Sequence, residues 1–260
     1  MGSAEVAAGG VVFDLDGTLV DSEPFWMRGF SIGLSQSLLR HGYGDHDLQP
    51  SQMSRFLGGR VPDTVRVIVE SLDLPEPVGD DHLAAMVQET VDFVTREFVA
   101  GPIVIQEAVD TARGLHERGV PMGVASSSAL TFIDAAIEAL GLADAFPVRV
   151  SAFDLPVGKP DPTVYLTTLG EMGLPAARAL AVEDSPVGVA SAVNAHLGCL
   201  WFRRPPEAGH DVPPQDWQDQ LLEAGVVVDL ADSLVEVSPH LTVELVLDSL
   251  DKVLARSAAG

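Results

Sequence analysis

Two carboxylates stand close together in Asp14-Leu15-Asp16-Gly17-Thr18, directly after the apolar run Val11-Val12-Phe13. Side by side they repel unless a cation or a shared proton relieves them. A hard divalent cation such as Mg²⁺ does this well, because it is bound chiefly by one or two carboxylates together with a phosphate. In such a setting Asp14 can attack phosphorus as a carboxylate nucleophile. Asp16 can give a proton to a leaving oxygen and later take one from water. The plain alternative is an acidic turn, for which Asp-Gly is a common sequence.

Three later segments have the same form, a polar group at the end of an apolar run. Ser126 follows Gly123-Val124-Ala125 and can donate to a phosphoryl oxygen. Ser127 is a candidate substrate contact, or with Ser128 a cap for the next helix. Lys159 lies in Val157-Gly158-Lys159-Pro160, a rigid loop in a chain with only 15 Lys and Arg, and it can neutralise both a phosphoryl group and the Asp14 carboxylate. Glu183-Asp184-Ser185 follows Ala179 to Val182 and can complete an oxygen shell with Asp14 and Asp16 around a metal. Asp184 is the better direct ligand, and Glu183 binds directly or through water. Asp184 or Ser185 can also serve as a helix cap.

These groups need a scaffold that brings strand ends together. Continuous apolar runs at Val11 to Phe13, Pro121 to Ala125, Val148 to Val150, Ala179 to Val182 and Leu197 to Phe202 predict buried parallel strands, with Val226 to Val228 as a further one. Helical patterns closed by Gly119, Gly141 and Gly173 lie between them. The alternation predicts an α/β fold, a Rossmann-like parallel sheet covered by helices. From Glu23 to Phe98 the pattern is helical instead. An inserted α-helical cap is therefore expected over 23–98, with 1–22 and 99–260 forming the core. In this position a cap overhangs the carboxyl ends of the strands, where open α/β sheets bind ligands.

Composition narrows the partners. A formal charge of -23 disfavours nucleic acid and anionic membranes, and no basic cluster offsets it. The single cysteine, Cys199, excludes an internal disulfide and reads as a buried thiol. With no spanning apolar stretch and no signal-peptide pattern, a cytoplasmic protein, monomer or dimer, is expected. An acidic chain acting on an anion must reverse its field locally, with a bound dication and a placed lysine.

In order, Phe13-Asp14-Leu15-Asp16-Gly17-Thr18-Leu19-Val20-Asp21, Ser126, Gly158-Lys159-Pro160 and Glu183-Asp184-Ser185 resemble the four motifs of the haloacid-dehalogenase-like hydrolase superfamily. The resemblance covers about Val11 to Phe202. It implies a Mg²⁺-dependent enzyme with the nucleophile, acid/base, Ser and Lys roles given above, and a backbone carbonyl at Asp16 as metal ligand. Asp21-Ser22-Glu23-Pro24-Phe25-Trp26 is similar to hexitol and 2-deoxyglucose 6-phosphate phosphatases and their β-phosphoglucomutase relatives. Leu57-Gly58-Gly59-Arg60 resembles their cap loop, which makes Arg60 a candidate substrate contact, or else a surface ion pair.

The expected function is hydrolysis of small phosphorylated metabolites, sugar or polyol phosphates. A hexose phosphate mutase is the first alternative, although such mutases carry a histidine at Trp26 and a lysine at Leu57. A catalytically silent binding protein is the second. Asn194-Ala195-His196 and Gly101-Pro102-Ile103 depart from the family's usual sequence, and His196 is expected to be satisfied or exposed.

Overall fold

The computed structural model describes residues 9–74, 76–204, 217–228 and 233–259. Six parallel strands form its sheet, in the order β3-β2-β1-β4-β5-β6. They are β1 (Gly10–Phe13), β2 (Met122–Ser126), β3 (Val148–Ser151), β4 (Ala179–Glu183), β5 (Gly198–Phe202) and β6 (Val235–Ser238). The chain leaves β1 towards β2 and β3, then crosses back to lay β4 on the other side of β1. This reversal of direction is a topological switch point, and it opens a crevice beyond the carboxyl ends of β1 and β4.

Side chains alternate across the sheet because a strand has period two. Val11, Phe13, Val124, Leu180 and Val182 enter one core with α5 (Gln106–Glu117), α6 (Leu130–Ala139) and α10 (Val243–Ala259). Val12, Ala125, Ala181, Cys199 and Trp201 enter the other, with α7 (Thr163–Met172), α8 (Pro186–Asn194) and α9 (Trp217–Glu223). Burial on both faces explains why these strands read as continuous apolar runs. Cys199 is a buried free thiol, and no helix among the described residues is long and apolar enough to cross a membrane.

Between β1 and β2 the chain is helical: α1 (Glu23–Arg28), a π-turn at Gly29–Gly33, α2 (Leu34–Arg40), α3 (Val61–Glu70) and α4 (Asp80–Ala100). This is an inserted helical cap. Two strands of chain connect it to the sheet, side by side. Asp21 N donates to Ile103 O at 3.0 Å, Ile105 N donates to Leu19 O at 3.1 Å, and Val20 bridges Val104 in antiparallel fashion. An aromatic seam joins the cap to α6, with Phe132 edge-on to both Trp26 and Phe98 at 5.3 Å between ring centres.

One strand expectation is corrected. Val226 to Val228 is not a strand: Val227 is 84% exposed, and its N–H is given to Asn194 Oδ1 at 2.9 Å rather than to a sheet neighbour. The sixth strand is Val235–Ser238, half-buried at the sheet edge beside β5. The Pro/Gly/Asp-rich stretch from Arg203 through Gln215 falls mostly outside the described residues.

Candidate active site

β1 delivers Asp14 to the crevice, where its backbone N–H donates to Val182 O at 2.9 Å. The side chain is nearly buried and accepts from Lys159 Nζ at 2.7 Å. The same ammonium donates to Glu183 Oε1 at 2.5 Å and to Ala125 O at 3.1 Å. One cation thus gathers the ends of β1, β2 and β4. Burial alone would discharge Lys159, but Asp14 and Glu183 outweigh it and hold the ammonium above the ordinary lysine value.

The acids are less balanced. Burial pushes the Asp14 carboxyl well up; Lys159 opposes this, while Glu183, Asp184 and Asp16 add to it. Asp184 is pushed up to about 8, by burial and then by Glu183. Ligand oxygens of Asp14, Glu183 and Asp184 lie within 4.8 Å of one another. Such a cluster, with one ammonium against several confined carboxylates, suits a hard cation with oxygen ligands.

Within the triad the three acids are not equivalent. Glu183 is fully buried, and its Oε1 also accepts from Tyr165 Oη at 2.6 Å. Lys159 and Tyr165 therefore hold one carboxylate oxygen of Glu183. Asp184 rests against the backbone of Gly17, where an added Cβ would lie 2.0 Å from Asp184 Oδ2, and Gly17 has φ of +82°. A glycine is needed there for both reasons. Trp201 Nε1 donates to Asp184 O at 2.9 Å and fixes the turn from below.

Asp16 is held differently, by four side-chain donors. Oδ1 accepts from Ser22 Oγ at 2.5 Å and Trp26 Nε1 at 3.0 Å; Oδ2 accepts from Ser126 Oγ at 3.0 Å and Ser128 Oγ at 2.8 Å. Its carboxylate lies outside the clustered triad. The cap thus supplies part of the setting of Asp16.

The pocket over these groups is lined by Asp14, Asp16, Lys159, Asp184 and Ser127 from the sheet side, and by Glu23, Trp26, Phe30, Leu57 and Val61 from the cap. Partial burial raises Glu23 above its ordinary value, Asp21 and Asp16 add to this, and Arg204 counters it. Ser126 is fully buried, and its hydroxyl donates to Asp16 Oδ2 at the floor of the pocket. Arg60 is absent from the lining; its guanidinium pairs with Asp63 at 2.6 Å and donates to the Leu155 carbonyl, latching the cap to the loop before Lys159.

Residues 9–196 match the haloacid dehalogenase-like hydrolase family. The chain belongs to that family. Validoxylamine A 7'-phosphate phosphatase of Streptomyces hygroscopicus subsp. limoneus is 27% identical over 201 residues, 73% of this chain and 83% of that one. Hexitol phosphatase B of Escherichia coli is 28% identical over 202 residues, 77% of this chain and 85% of its own. CbbY from Rhodobacter sphaeroides, solved in complex with phosphate, has the same fold, with a TM-score of 0.68 at 21% identity over 94% of this chain and 99% of that one. Family and acid cluster together make this hydrolase a phosphatase of small phosphoesters.

Sequence reading missed Ser22, Trp26, Ser128, Tyr165 and Trp201 as site residues. Ser22 and Trp26 lie in the run that resembles sugar-phosphate phosphatases, so their position carried a signal. Tyr165 did not, since a tyrosine on an apolar helix face reads as core. Asn194, noted as a departure, has a clear place: its amide donates to Pro160 O and Gly225 O, each at 3.1 Å, and so braces the Lys159 loop. His196 is exposed, and its backbone takes a left-handed turn at φ of 63°.

Proposed function

We propose that this hydrolase removes phosphate from sugar or polyol phosphates with Mg²⁺, through an aspartyl phosphate formed on Asp14. One observation carries the reading: Asp14 and Asp16 open into the same pocket, but Asp14 is bound to Lys159 while Asp16 is bound only to neutral donors. That division suits one carboxylate for attack and the other for proton transfer.

Asp14 attacks phosphorus in line with the departing alcohol, and a proton from Asp16 goes to the leaving oxygen. Lys159 sits where charge accumulates on the phosphoryl oxygens, and Ser127 lines the pocket beside them. After the alcohol leaves, Asp16 takes a proton from water, whose oxygen attacks phosphorus and frees Asp14 and inorganic phosphate. Asp14 and Asp184, with Glu183 directly or through water and the Asp16 carbonyl, are the groups to hold Mg²⁺. When bound, the ion offsets negative charge on the phosphoryl group and the carboxylates.

The cap side of the pocket encloses a small leaving group, and the relatives named as phosphatases of a validoxylamine phosphate and of hexitols support a polyol-like one. We take 23–98 as the cap domain and 1–22 with 99–260 as the core; the paired segments around Asp21 and Ile103 favour this division. A single reduced cysteine suits a cytoplasmic enzyme.

The test is a panel of phosphate esters assayed with Mg²⁺ on the wild type and on Asp14→Asn. Phosphate release matching substrate loss, and abolished by the substitution, is expected. Turnover with total ester phosphate unchanged sinks hydrolysis in favour of isomerisation, and activity surviving in the variant removes Asp14 as nucleophile.

A further inference from the structure

The pocket has two ends of different chemistry. At the phosphoryl end stand Asp14, Lys159 and Asp184. Facing them from the cap are the apolar side chains of Trp26, Phe30, Leu57 and Val61, and one charged side chain, Glu23. Among the described residues Lys159 is the only cation that lines the pocket, and it is already committed to Asp14 and Glu183. Arg60, the nearest candidate on the cap loop, is turned to Asp63 and the Leu155 carbonyl. Arg204 is exposed, outside the lining, and acts on Glu23 and Asp184 only through its charge.

Resting on the phosphatase reading above, we propose that this pocket selects esters whose leaving group has no second anionic group. Glu23 accepts a hydrogen bond from a hydroxyl or ammonium of that leaving group. The reasons are those of charge and solvation. A neutral polyol can lay its C–H surface on the apolar wall and give a hydroxyl hydrogen to Glu23. An ammonium makes a charge-assisted bond to the same carboxylate. A carboxylate or second phosphate leaves water for a space bounded by apolar side chains and faces Glu23 and Asp16, and the described lining holds no cation beyond the committed Lys159. Rejection of the wrong ligand by an unmatched charge is as much a part of specificity as attraction of the right one. Glu23 opens α1, directly after Ser22, which is bonded to Asp16, so the selecting and proton-transferring groups are mounted on one short stretch of chain.

Three esters of nearly one carbon skeleton isolate the effect: glucose 6-phosphate, glucosamine 6-phosphate and 6-phosphogluconate. Each is assayed with Mg²⁺ as a substrate, and as a competitive inhibitor of p-nitrophenyl phosphate hydrolysis. The neutral and ammonium esters are expected to surpass 6-phosphogluconate by at least about tenfold in kcat/KM or in inhibition constant. In Glu23→Gln the ratio of glucosamine 6-phosphate to 6-phosphogluconate falls by about fivefold or more, and a change common to all three esters cancels from that ratio. The proposal is overturned if 6-phosphogluconate is used as well as the others, which would give Arg204 an anion-binding role. It is also overturned if the ratio is the same in Glu23→Gln, or if none of the three binds while p-nitrophenyl phosphate is cleaved. Wild-type enzyme that cleaves no ester, p-nitrophenyl phosphate included, removes the phosphatase reading itself and the selectivity with it.

Discussion

Trp26 gives its indole N–H to Asp16 across 3.0 Å, from the first helix of the cap to the loop after β1. The same ring packs on Phe30 and Phe132, so it has both an electrostatic and a packing role. Trp26→Phe keeps an aromatic ring and removes the donor. Loss of one hydrogen bond to the carboxylate that forms as Asp16 gives up its proton should lower kcat by about tenfold for alkyl phosphates. The effect should be smaller for p-nitrophenyl phosphate, whose leaving group departs without a proton. Equal losses on the two substrates would mean that Trp26 acts through packing alone.

Tyr165 lies beneath the lysine, with Nζ of Lys159 at 5.2 Å from its ring centre and its hydroxyl on Glu183. Tyr165→Phe leaves Glu183 without one donor in a buried place, at a cost of about 1–3 kcal/mol in stability. Thermal unfolding and turnover, measured together, check this. A Tm unchanged from wild type would show that the hydroxyl does not stabilise the buried cluster.

Gly17→Ala sets a methyl group against the Asp184 carboxylate in a left-handed turn. Asp184 has to move, so the cation affinity of the site should fall by about tenfold or more, with roughly 1–2 kcal/mol lost in stability. Calorimetric Mg²⁺ titration of the folded variant reads the first effect and chemical unfolding the second. Wild-type cation affinity in the variant would exclude the Asp184 carboxylate as a ligand.

Away from the site, Glu89 anchors α4 to α2. Burial acts to raise its carboxyl, but Ser37, Arg40 and His41 outweigh that and hold it below its ordinary value of 4.5. The folded state therefore binds fewer protons here than the unfolded chain as pH approaches that value. The stabilisation is present above the unfolded value and is lost as pH falls through the depressed one. Part exposure limits it to about 1 kcal/mol. Glu89→Gln should lower Tm at pH 7 and have a vanishing effect near pH 3; a difference that persists in acid would assign the effect to packing.

The sheet was legible because β1, β2, β4 and β5 are buried throughout and need nearly continuous apolar side chains, while the edge strand β3 still carries Val148 and Val150. β6 escaped notice since an edge strand pairs on one side, and Val-Glu-Val-Ser carries no such run. Val226 to Val228 has the right residue types, yet Val227 points to water and its backbone bonds to Asn194. Asp14 and Asp184 stood out because each directly follows a strand, and Lys159 because it is a rare lysine in a Gly/Pro loop beyond β3. For Ser126 the strand position was plain, but its bond to Asp16 depended on where that side chain came to rest. Arg60 likewise shows a position in a motif without showing a rotamer. The donors to Asp16 come from two separate parts of the chain, and only folding makes them neighbours.

The segments flanking the cap lie side by side, bonded through Asp21 and Ile103 and through Leu19 and Ile105. A module whose two ends meet can be exchanged without disturbing the strands on either side, as domain insertions at such points are. The aromatic seam adds one condition, for Phe132 on α6 loses its covering when Trp26 and Phe98 go. A replacement cap that joins at these ends and brings an apolar side chain to Phe132 should leave a folded sheet with an intact Asp14–Lys159 pair. The same catalytic floor could then be given a different appetite by changing its roof.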